Sequence, residues 1–223
     1  MTPCARSASI FASSSSVYGG NTKLPFSVRD NVDHPLSLYA ATKKANELMA
    51  HSYAHLYRLP VTGLRFFTAY GPWGRPDMAY FKFVRAILAG EPIDVYNEGK
   101  SSRDFTYVED MVAQILALLD RMPQPAADRE TLDADPSRST APYRIFNVGN
   151  NFPVGLLDFI GAIEDALGRK AKLNMMPMQA GDVENTFADI EELVAETGFA
   201  PKTTLREGVG RFVEWYRGYY GEG

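Results

Sequence analysis

The 223-residue sequence contains few of the residues that form disulfide frameworks and metal sites: one cysteine, Cys4, and three histidines. A single cysteine excludes an internal disulfide framework and favours a reducing compartment, so we expect a cytoplasmic protein. His51 and His55 stand four residues apart on a predicted helix. The histidines and the cysteine together show no metal-ligand pattern, so we predict no metal site.

Long apolar runs and an excess of basic charge are also absent. No apolar run approaches the roughly 20 residues that span a bilayer, so we expect no membrane partner. The net charge of −4 and the isoelectric point near 5.5 argue against a nucleic-acid protein, which usually carries a basic face. The chain is 45% hydrophobic and 12% aromatic, enough for a buried core in one large or two small domains.

Strand and helix patterns alternate along the chain. Residues 9–12 have the composition of a buried strand, residues 38–59 that of a helix, and residues 61–67 that of a second strand. This order is the unit of a parallel α/β sheet. Residues 123–142 are rich in Pro, Asp, Ser and Ala and predict a surface loop. We predict further strands over 93–96, 143–148 and 171–176, and helices over 79–88, 108–122, 156–167, 190–197 and 205–219.

Tyr39 and Lys43 are the strongest chemical signal. Residues four apart on a helix share one face, so the phenol and the ammonium can point into one cleft. A free phenol has a pKa near 10, and a neighbouring cation favours the phenolate that a general base requires. The alternative interpretation is an ordinary surface pair, because a Tyr and a Lys on the surface of a helix can have the same spacing. Residues 13–16 are four serines at the end of a predicted strand, where doubly wound folds place their chemistry; a flexible turn is the alternative interpretation.

Several segments occur together in one order: SSSSVYG, PLSLYAATK, LRFFTAYGPWGRPDMA, SSRDFTYVEDM, FNVGN and GDV. In these segments the sequence resembles nucleotide-sugar epimerases of the extended short-chain dehydrogenase/reductase family, and UDP-glucuronate 4-epimerases most closely. The resemblance covers the chain from Phe11 to its end. It implies a partial Rossmann-like parallel sheet with a smaller α/β substrate-binding region. Residues 1–75 would belong to the Rossmann-like domain and residues 76–223 mainly to the nucleotide-sugar-binding region, with some segments returning to the sheet.

The resemblance also implies a cofactor, NAD, and a UDP-sugar substrate. Tyr39 would act as general base and acid on the sugar 4-hydroxyl, Lys43 would bind the nicotinamide ribose, and Ser14 would hydrogen-bond the reacting oxygen. Hydride would leave C4, and the 4-keto sugar would turn its other face before hydride returns. Ser13, Tyr39 and Lys43 would contact the cofactor; Ser15, Ser16, Thr68, Arg75, Tyr96, Arg103 and Asp182 would contact the substrate. The resemblance further implies a homodimer.

Alternatives remain open within this resemblance. Related dehydratases and decarboxylases carry an acidic residue before Val-Tyr-Gly, and this sequence has Ser16 there, which favours epimerisation. Arg75 and Arg103 also suit ordinary surface positions, and Asp182 a turn. The alternatives are another UDP-sugar epimerase or dehydratase, or a non-catalytic UDP-sugar-binding fragment.

A glycine-rich dinucleotide-binding turn, G-x-x-G-x-x-G, does not occur near the beginning of the sequence. Such a turn lets the backbone and a helix N-terminus bind pyrophosphate. The resemblance therefore implies that about a hundred residues of the dinucleotide-binding half are missing. We expect this chain to expose a sheet edge, to aggregate, to bind NAD weakly and to show little turnover.

Overall fold

The computed structural model describes residues 8–127, 135–179 and 182–221. The strands are β1 (Ser9–Ser14), β2 (Val61–Phe66), β3 (Thr68–Tyr70), β4 (Pro92–Val95), β5 (Ser102–Tyr107), β6 (Tyr143–Val148), β7 (Pro153–Gly155) and β8 (Lys172–Met175). The helices are α1 (Leu38–Tyr57), α2 (Ala79–Ala89), α3 (Val108–Leu118), α4 (Leu156–Leu167), α5 (Glu191–Thr197) and α6 (Leu205–Tyr220). Short 3₁₀ turns cover Ser15–Tyr18 and Tyr96–Gly99.

Three small sheets organise these strands. The first has the order β1–β2–β6 and is parallel throughout, with Ser13, Arg65 and Asn147 in register. The second has the order β3–β5–β7, and the third pairs β4 with β8 in parallel. The β1–α1–β2 segment confirms the predicted strand–helix–strand unit. Among the described residues β1 has one strand neighbour, so its other edge is open.

The first sheet is covered on both faces. Val61, Tyr143 and Ile145 pack with Ala54 of α1 on one face. On the other face, Leu64 and its neighbours pack against α3 and α5. Burial on both faces leaves Val61 to Arg65 of β2 buried, and the two polar side chains among them, Thr62 and Arg65, are buried as well. The larger core lies in the C-terminal region, where α2, α4 and α6 pack together through aromatic side chains that include Phe81, Phe159 and Phe212.

Most predicted elements are confirmed within two residues, and the 156–167 helix matches α4 at both ends. The prediction of a helix to residue 122 is wrong at its end, because α3 stops at Leu118. Pro123 disfavours helical geometry at Met122, which argues against a helix to residue 122 but does not itself set the end at Leu118. Strands β3, β5 and β7 lie outside the predicted strands. The Ser-Arg-Asp beginning of β5 has the composition of a loop. The described parts of the predicted loop, 123–127 and 135–142, contain no helix or strand; its middle and Cys4 lie outside the described residues.

The described residues contain neither a membrane-spanning helix nor a cluster of metal ligands. None of their helices combines the length and the apolar character needed to cross a membrane. None of their histidine, cysteine and acidic side chains gather into a group of three that would hold a metal ion.

Candidate active site

The serine turn is built at the carboxyl end of β1. Ser14 is buried there and caps the 3₁₀ turn: its Oγ accepts from the Ser16 amide at 3.2 Å and donates to Ser16 Oγ at 3.1 Å. The turn ends at Gly19, whose φ of 54° favours glycine. A Cβ at this position would stand 2.1 Å from the His34 carbonyl oxygen, so the chain leaves the turn in close contact with the segment before α1.

Helix α1 brings Tyr39 and Lys43 to the same place. Ser37 caps its N-terminus by accepting from the Ala40 amide at 3.1 Å. Lys43 Nζ donates to the carbonyl oxygen of Ala12 in β1 at 3.1 Å and lies 5.7 Å from the centroid of the Tyr39 ring. The Tyr39 side chain is 54% exposed. The phenol and the ammonium therefore share one helix face beside the end of β1, as the spacing predicted.

A first cavity of about 170 Å³ opens next to the serine turn. It brings together residues from segments far apart in sequence: Ser15 and Ser16 of the turn, Ser37 at the start of α1, Thr68, Arg103 and Asp182. Five of these six are predicted substrate contacts. Ser14, Tyr39 and Lys43 do not line this cavity. Ser14 is next in sequence to Ser15, and Tyr39 is two residues from Ser37; both Ser15 and Ser37 line it.

A second cavity of about 610 Å³ extends from the first between α2 and β4. Thr68, Arg103 and Asp182 line both cavities, and Tyr96 lines the second. Lys82 and Arg85 of α2 also line the second cavity, and neither forms an ion pair within the described residues. Sequence reasoning did not select these two cations. Their three-residue spacing on a helix, which places both on one face, was the signal available.

Strand β5 attaches the segment that carries Asp182. Arg103 pairs with Asp182 at 2.9 Å and donates to the Glu184 carbonyl oxygen at 2.7 Å. The next residue, Asp104, is fully buried and accepts from the amides of Asn150 at 2.7 Å and Ala188 at 3.0 Å. Burial raises the pKa of Asp104, even though these amides favour its charged form. Arg103 and Asp104 together dock residues 182–188 beside the two cavities.

Two predicted contacts lie elsewhere. Arg75 is exposed on the turn before α2, where Nη2 lies 3.2 Å from Asp77. It is not among the residues that line either cavity. Ser13 is buried, and its hydroxyl donates to Glu47 of α1 at 2.7 Å, away from both cavities. The substrate role of Arg75 and the cofactor role of Ser13 stay predictions.

Comparison with known proteins identifies the family to which the chain belongs. The family described as NAD dependent epimerase/dehydratase matches residues 2–148, about two thirds of the chain. The chain belongs to this family. The predicted α/β class with a Rossmann-like parallel sheet is confirmed by solved structures of the same fold.

Three relatives show the degree of similarity within the family. Protein CapI of Staphylococcus aureus is 57% identical over 211 residues, which are 95% of this chain and 63% of that protein. A probable UDP-glucuronate 4-epimerase of Rhizobium meliloti is 54% identical over 209 residues, 93% of this chain and 61% of that protein. The structure of Bacillus cereus UDP-glucuronic acid 4-epimerase with UDP-glucuronic acid and NAD aligns with a TM-score of 0.76 at 28% identity. It covers 95% of this chain and 62% of that one. The chain thus spans about three fifths of the length of these relatives.

Proposed function

We propose that this chain carries the catalytic and substrate-binding residues of an NAD-dependent UDP-sugar 4-epimerase that converts UDP-glucuronate to UDP-galacturonate. The observation that supports this best is that α1 and the serine turn meet at the end of β1, next to a cavity that three further segments line. Tyr39 and Lys43 share a face there, the serine turn lies beside them, and the adjoining cavity contains Thr68, Arg103 and Asp182. The relatives named as UDP-glucuronate 4-epimerases support the choice of sugar.

The residues beside Tyr39 suit the nicotinamide end of NAD. Lys43 uses one of its three N–H donors on the Ala12 carbonyl, which leaves two for a ribose hydroxyl. When bound, NAD supplies hydride acceptance and return at C4 of the sugar. Tyr39 would take the proton of the 4-hydroxyl and return it, and the Ser14 hydroxyl would hydrogen-bond the same oxygen. Tyr39 is half-exposed, so a ligand can reach it.

The two cavities suit the two ends of the substrate. The larger cavity has room for the nucleoside, with Tyr96 and Phe105 in its wall. The cations Lys82, Arg85 and Arg103 would neutralise the diphosphate. The smaller cavity, lined by the serine turn and Thr68, would take the sugar. Thr68 and Arg103 line both cavities. The bond between the diphosphate and the sugar would therefore lie beside these two residues, where the cavities meet.

Binding is the first test. Calorimetric titration of the purified chain with UDP should show uptake, and Arg103→Ala should weaken the affinity at least tenfold, the order expected for one lost charge-assisted contact. An Arg211→Ala variant, which loses surface ion pairs on α6, serves as the control. If the wild-type chain ignored UDP, or if Arg103→Ala bound it as tightly as wild type, the proposal would be wrong. A chain that took up UDP and ignored NAD would be a binding module.

Turnover is the second test. It is measured on the chain itself and on a chimera in which this chain replaces the matching part of the Rhizobium meliloti relative. Anion-exchange chromatography should detect UDP-galacturonate formed from UDP-glucuronate, with less or no product from UDP-glucose. Tyr39→Phe should lower kcat by roughly 10²- to 10⁴-fold with UDP affinity unchanged. Equal turnover of wild type and Tyr39→Phe in the chimera would exclude Tyr39 as the base.

Arg75 has a proposed role of its own. The 4-keto form of a glucuronate is a β-keto acid, which loses CO₂ when the carboxylate bond aligns with the carbonyl π system. We propose that Arg75 turns from Asp77 toward the bound sugar and, with Thr68, holds the carboxylate out of that alignment, a bidentate task that suits a guanidinium. Arg75→Ala in the chimera should release a pentose product. Unchanged turnover without pentose would contradict this role.

A further inference from the structure

A row of buried polar side chains crosses the first sheet one residue before its strands end. Ser13 of β1, Arg65 of β2 and Asn147 of β6 are in register and all are buried. Buried polar groups are costly unless they are paired. Ser13 and Arg65 both bind Glu47, and Asn147 Nδ2 donates to the Phe26 carbonyl oxygen at 2.8 Å. Arg65 Nε and Nη2 are paired, whereas its Nη1 is buried without a hydrogen-bond partner. The row therefore precedes the serine turn as a network that is paired except at this one nitrogen.

Glu47 joins this row to the face of α1 that carries the catalytic pair. Tyr39, Lys43 and Glu47 are spaced by four residues, so they lie along one side of the helix. Glu47 accepts from Arg65 Nε at 2.9 Å and Nη2 at 3.0 Å, and from Ser13 Oγ at 2.7 Å. Lys43 binds the carbonyl of the preceding residue in β1. Helix and strand are thus attached at two consecutive strand residues.

The other end of the network reaches the smaller cavity. The Arg65 guanidinium lies 5.0 Å over the ring of Tyr18, which lines that cavity. Tyr18 donates from its hydroxyl to Asn147 Oδ1 at 2.6 Å. The same network therefore contacts α1 on one side and the wall of the proposed sugar pocket on the other.

The Glu47–Arg65 pair stays charged in this environment. Burial alone would raise the pKa of Glu47, but its hydrogen bonds to Arg65 lower it overall. Burial alone would lower the pKa of Arg65, but the hydrogen bonds and charge of Glu47 raise it. A buried ion pair is often no more stabilising than well-packed apolar residues of the same volume. What apolar residues cannot supply is the directional, bidentate geometry that sets where α1 lies along β1.

We propose that Glu47 and Arg65 are positioning residues, which fix the Tyr39 and Lys43 face of α1 against the end of β1 that carries Ser14. Neither residue needs to touch substrate or cofactor. The catalytic meaning of this inference rests on the proposed function; the position of α1 itself does not.

The test uses three variants of the full chain: Glu47→Gln, Arg65→Met and the double variant. Each single variant leaves one uncompensated buried group, so its Tm should fall by roughly 6–20 °C. The double variant removes both charges and should recover most of that loss. If the pair only stabilised the fold, α1 in the double variant should also return to its wild-type position on β1.

Placement is read from the Lys43 ammonium in ¹H–¹⁵N spectra, assigned with Lys43→Arg. In the wild type, the hydrogen bond to Ala12 should protect this signal. We expect the signal to be lost or shifted in the double variant despite its recovered Tm. A wild-type Lys43 signal in the double variant would overturn the proposal. The control replaces another ion pair between a sheet and a helix, with Arg144→Met and Glu192→Gln, and should leave the signal in place.

A conservative variant covers the case in which the single variants fail to fold. Glu47→Asp keeps the charge but shortens the side chain by one methylene, so it should fold and still shift the Lys43 signal. An unshifted signal in Glu47→Asp would count against the proposal. UDP affinity should stay within twofold of wild type in the double variant, because the larger cavity lies outside this network. If the wild-type chain did not bind UDP, only the proposed function would be contradicted. The position of α1 is read separately, from the Lys43 signal.

Discussion

Glu47 and its partner Arg65 show how a single residue can make stability depend on pH. Because Arg65 lowers the Glu47 pKa below its ordinary value of 4.5, ionised Glu47 favours the folded state. This contribution is present above pH 4.5 and disappears as the pH falls through the lowered pKa of the folded state. The contribution of Asp104 to stability depends on pH in the opposite direction. Because burial raises the Asp104 pKa, this contribution is present at low pH and is lost as the pH rises through the raised pKa of the folded state.

The first prediction compares wild type with Glu47→Gln in urea unfolding between pH 7 and pH 3. At pH 7 the variant should be less stable by about 3–5 kcal/mol, the cost of leaving Arg65 unpaired. The difference should shrink below pH 4.5, because wild-type Glu47 also becomes neutral there. A difference that stayed constant to pH 3 would show that the Glu47 charge does not supply it.

The second prediction concerns Gly19, where the backbone and the space both require glycine. Gly19→Ala should cost at least about 2 kcal/mol, because left-handed strain adds to the close contact with the His34 carbonyl. Gly90→Ala is the control for a positive φ alone: its φ is 71° and its ψ is 17°, whereas the ψ of Gly19 is −120°, and a Cβ added at Gly90 meets no atom within 4 Å. It should cost only about 1 kcal/mol. Equal losses for the two variants in urea unfolding would exclude the contact with His34.

At the scale of elements, strand β5 decides whether the substrate residues meet. Asp104 binds the amides of Asn150 and Ala188 and so holds the segment that carries Asp182 and Glu184 against Arg103. The third prediction is that Asp104→Ala weakens UDP binding at least tenfold, since the buried Ala188 amide and the part-buried Asn150 amide lose their acceptor, and an unsatisfied buried amide costs about 1–3 kcal/mol.

The control for Asp104 is a second aspartate with the same kind of task. Asp110 is buried and accepts from the amides of Lys202 and Thr203, and it lines neither cavity. Asp110→Ala should lower the Tm while UDP affinity in calorimetry stays within twofold of wild type. If both variants lost affinity equally, general destabilisation would explain the loss and the docking role of Asp104 would be wrong.

At the scale of the whole molecule, α1 presents an apolar outer surface. Leu48, Tyr53, Leu56 and Tyr57 are all more than half exposed. Exposed apolar patches of this kind mark association surfaces. We expect the chain to self-associate through α1, in agreement with the homodimer that the family resemblance implies.

The fourth prediction follows from that surface. Leu56→Lys should shift the protein toward the monomer in sedimentation velocity, because a buried lysine at the contact lacks a partner. Leu173→Lys, at another exposed apolar position on β8, is the control and should leave association unchanged. An unchanged sedimentation profile for Leu56→Lys would exclude α1 as the contact.

The sequence by itself determined what depends on neighbours along the chain. Four-residue spacing placed Tyr39 and Lys43 on one helix face, apolar periodicity located α4 to the residue, and the motif order was sufficient for the family. Those signals come from residues close together along the chain, so they can be read from a single sequence. Pairing between distant residues is decided by chain topology and packing. Only the tertiary structure showed that Arg103 pairs with Asp182, that β5 docks the segment that carries Asp182, and that Glu47 meets Arg65 one residue before the serine turn.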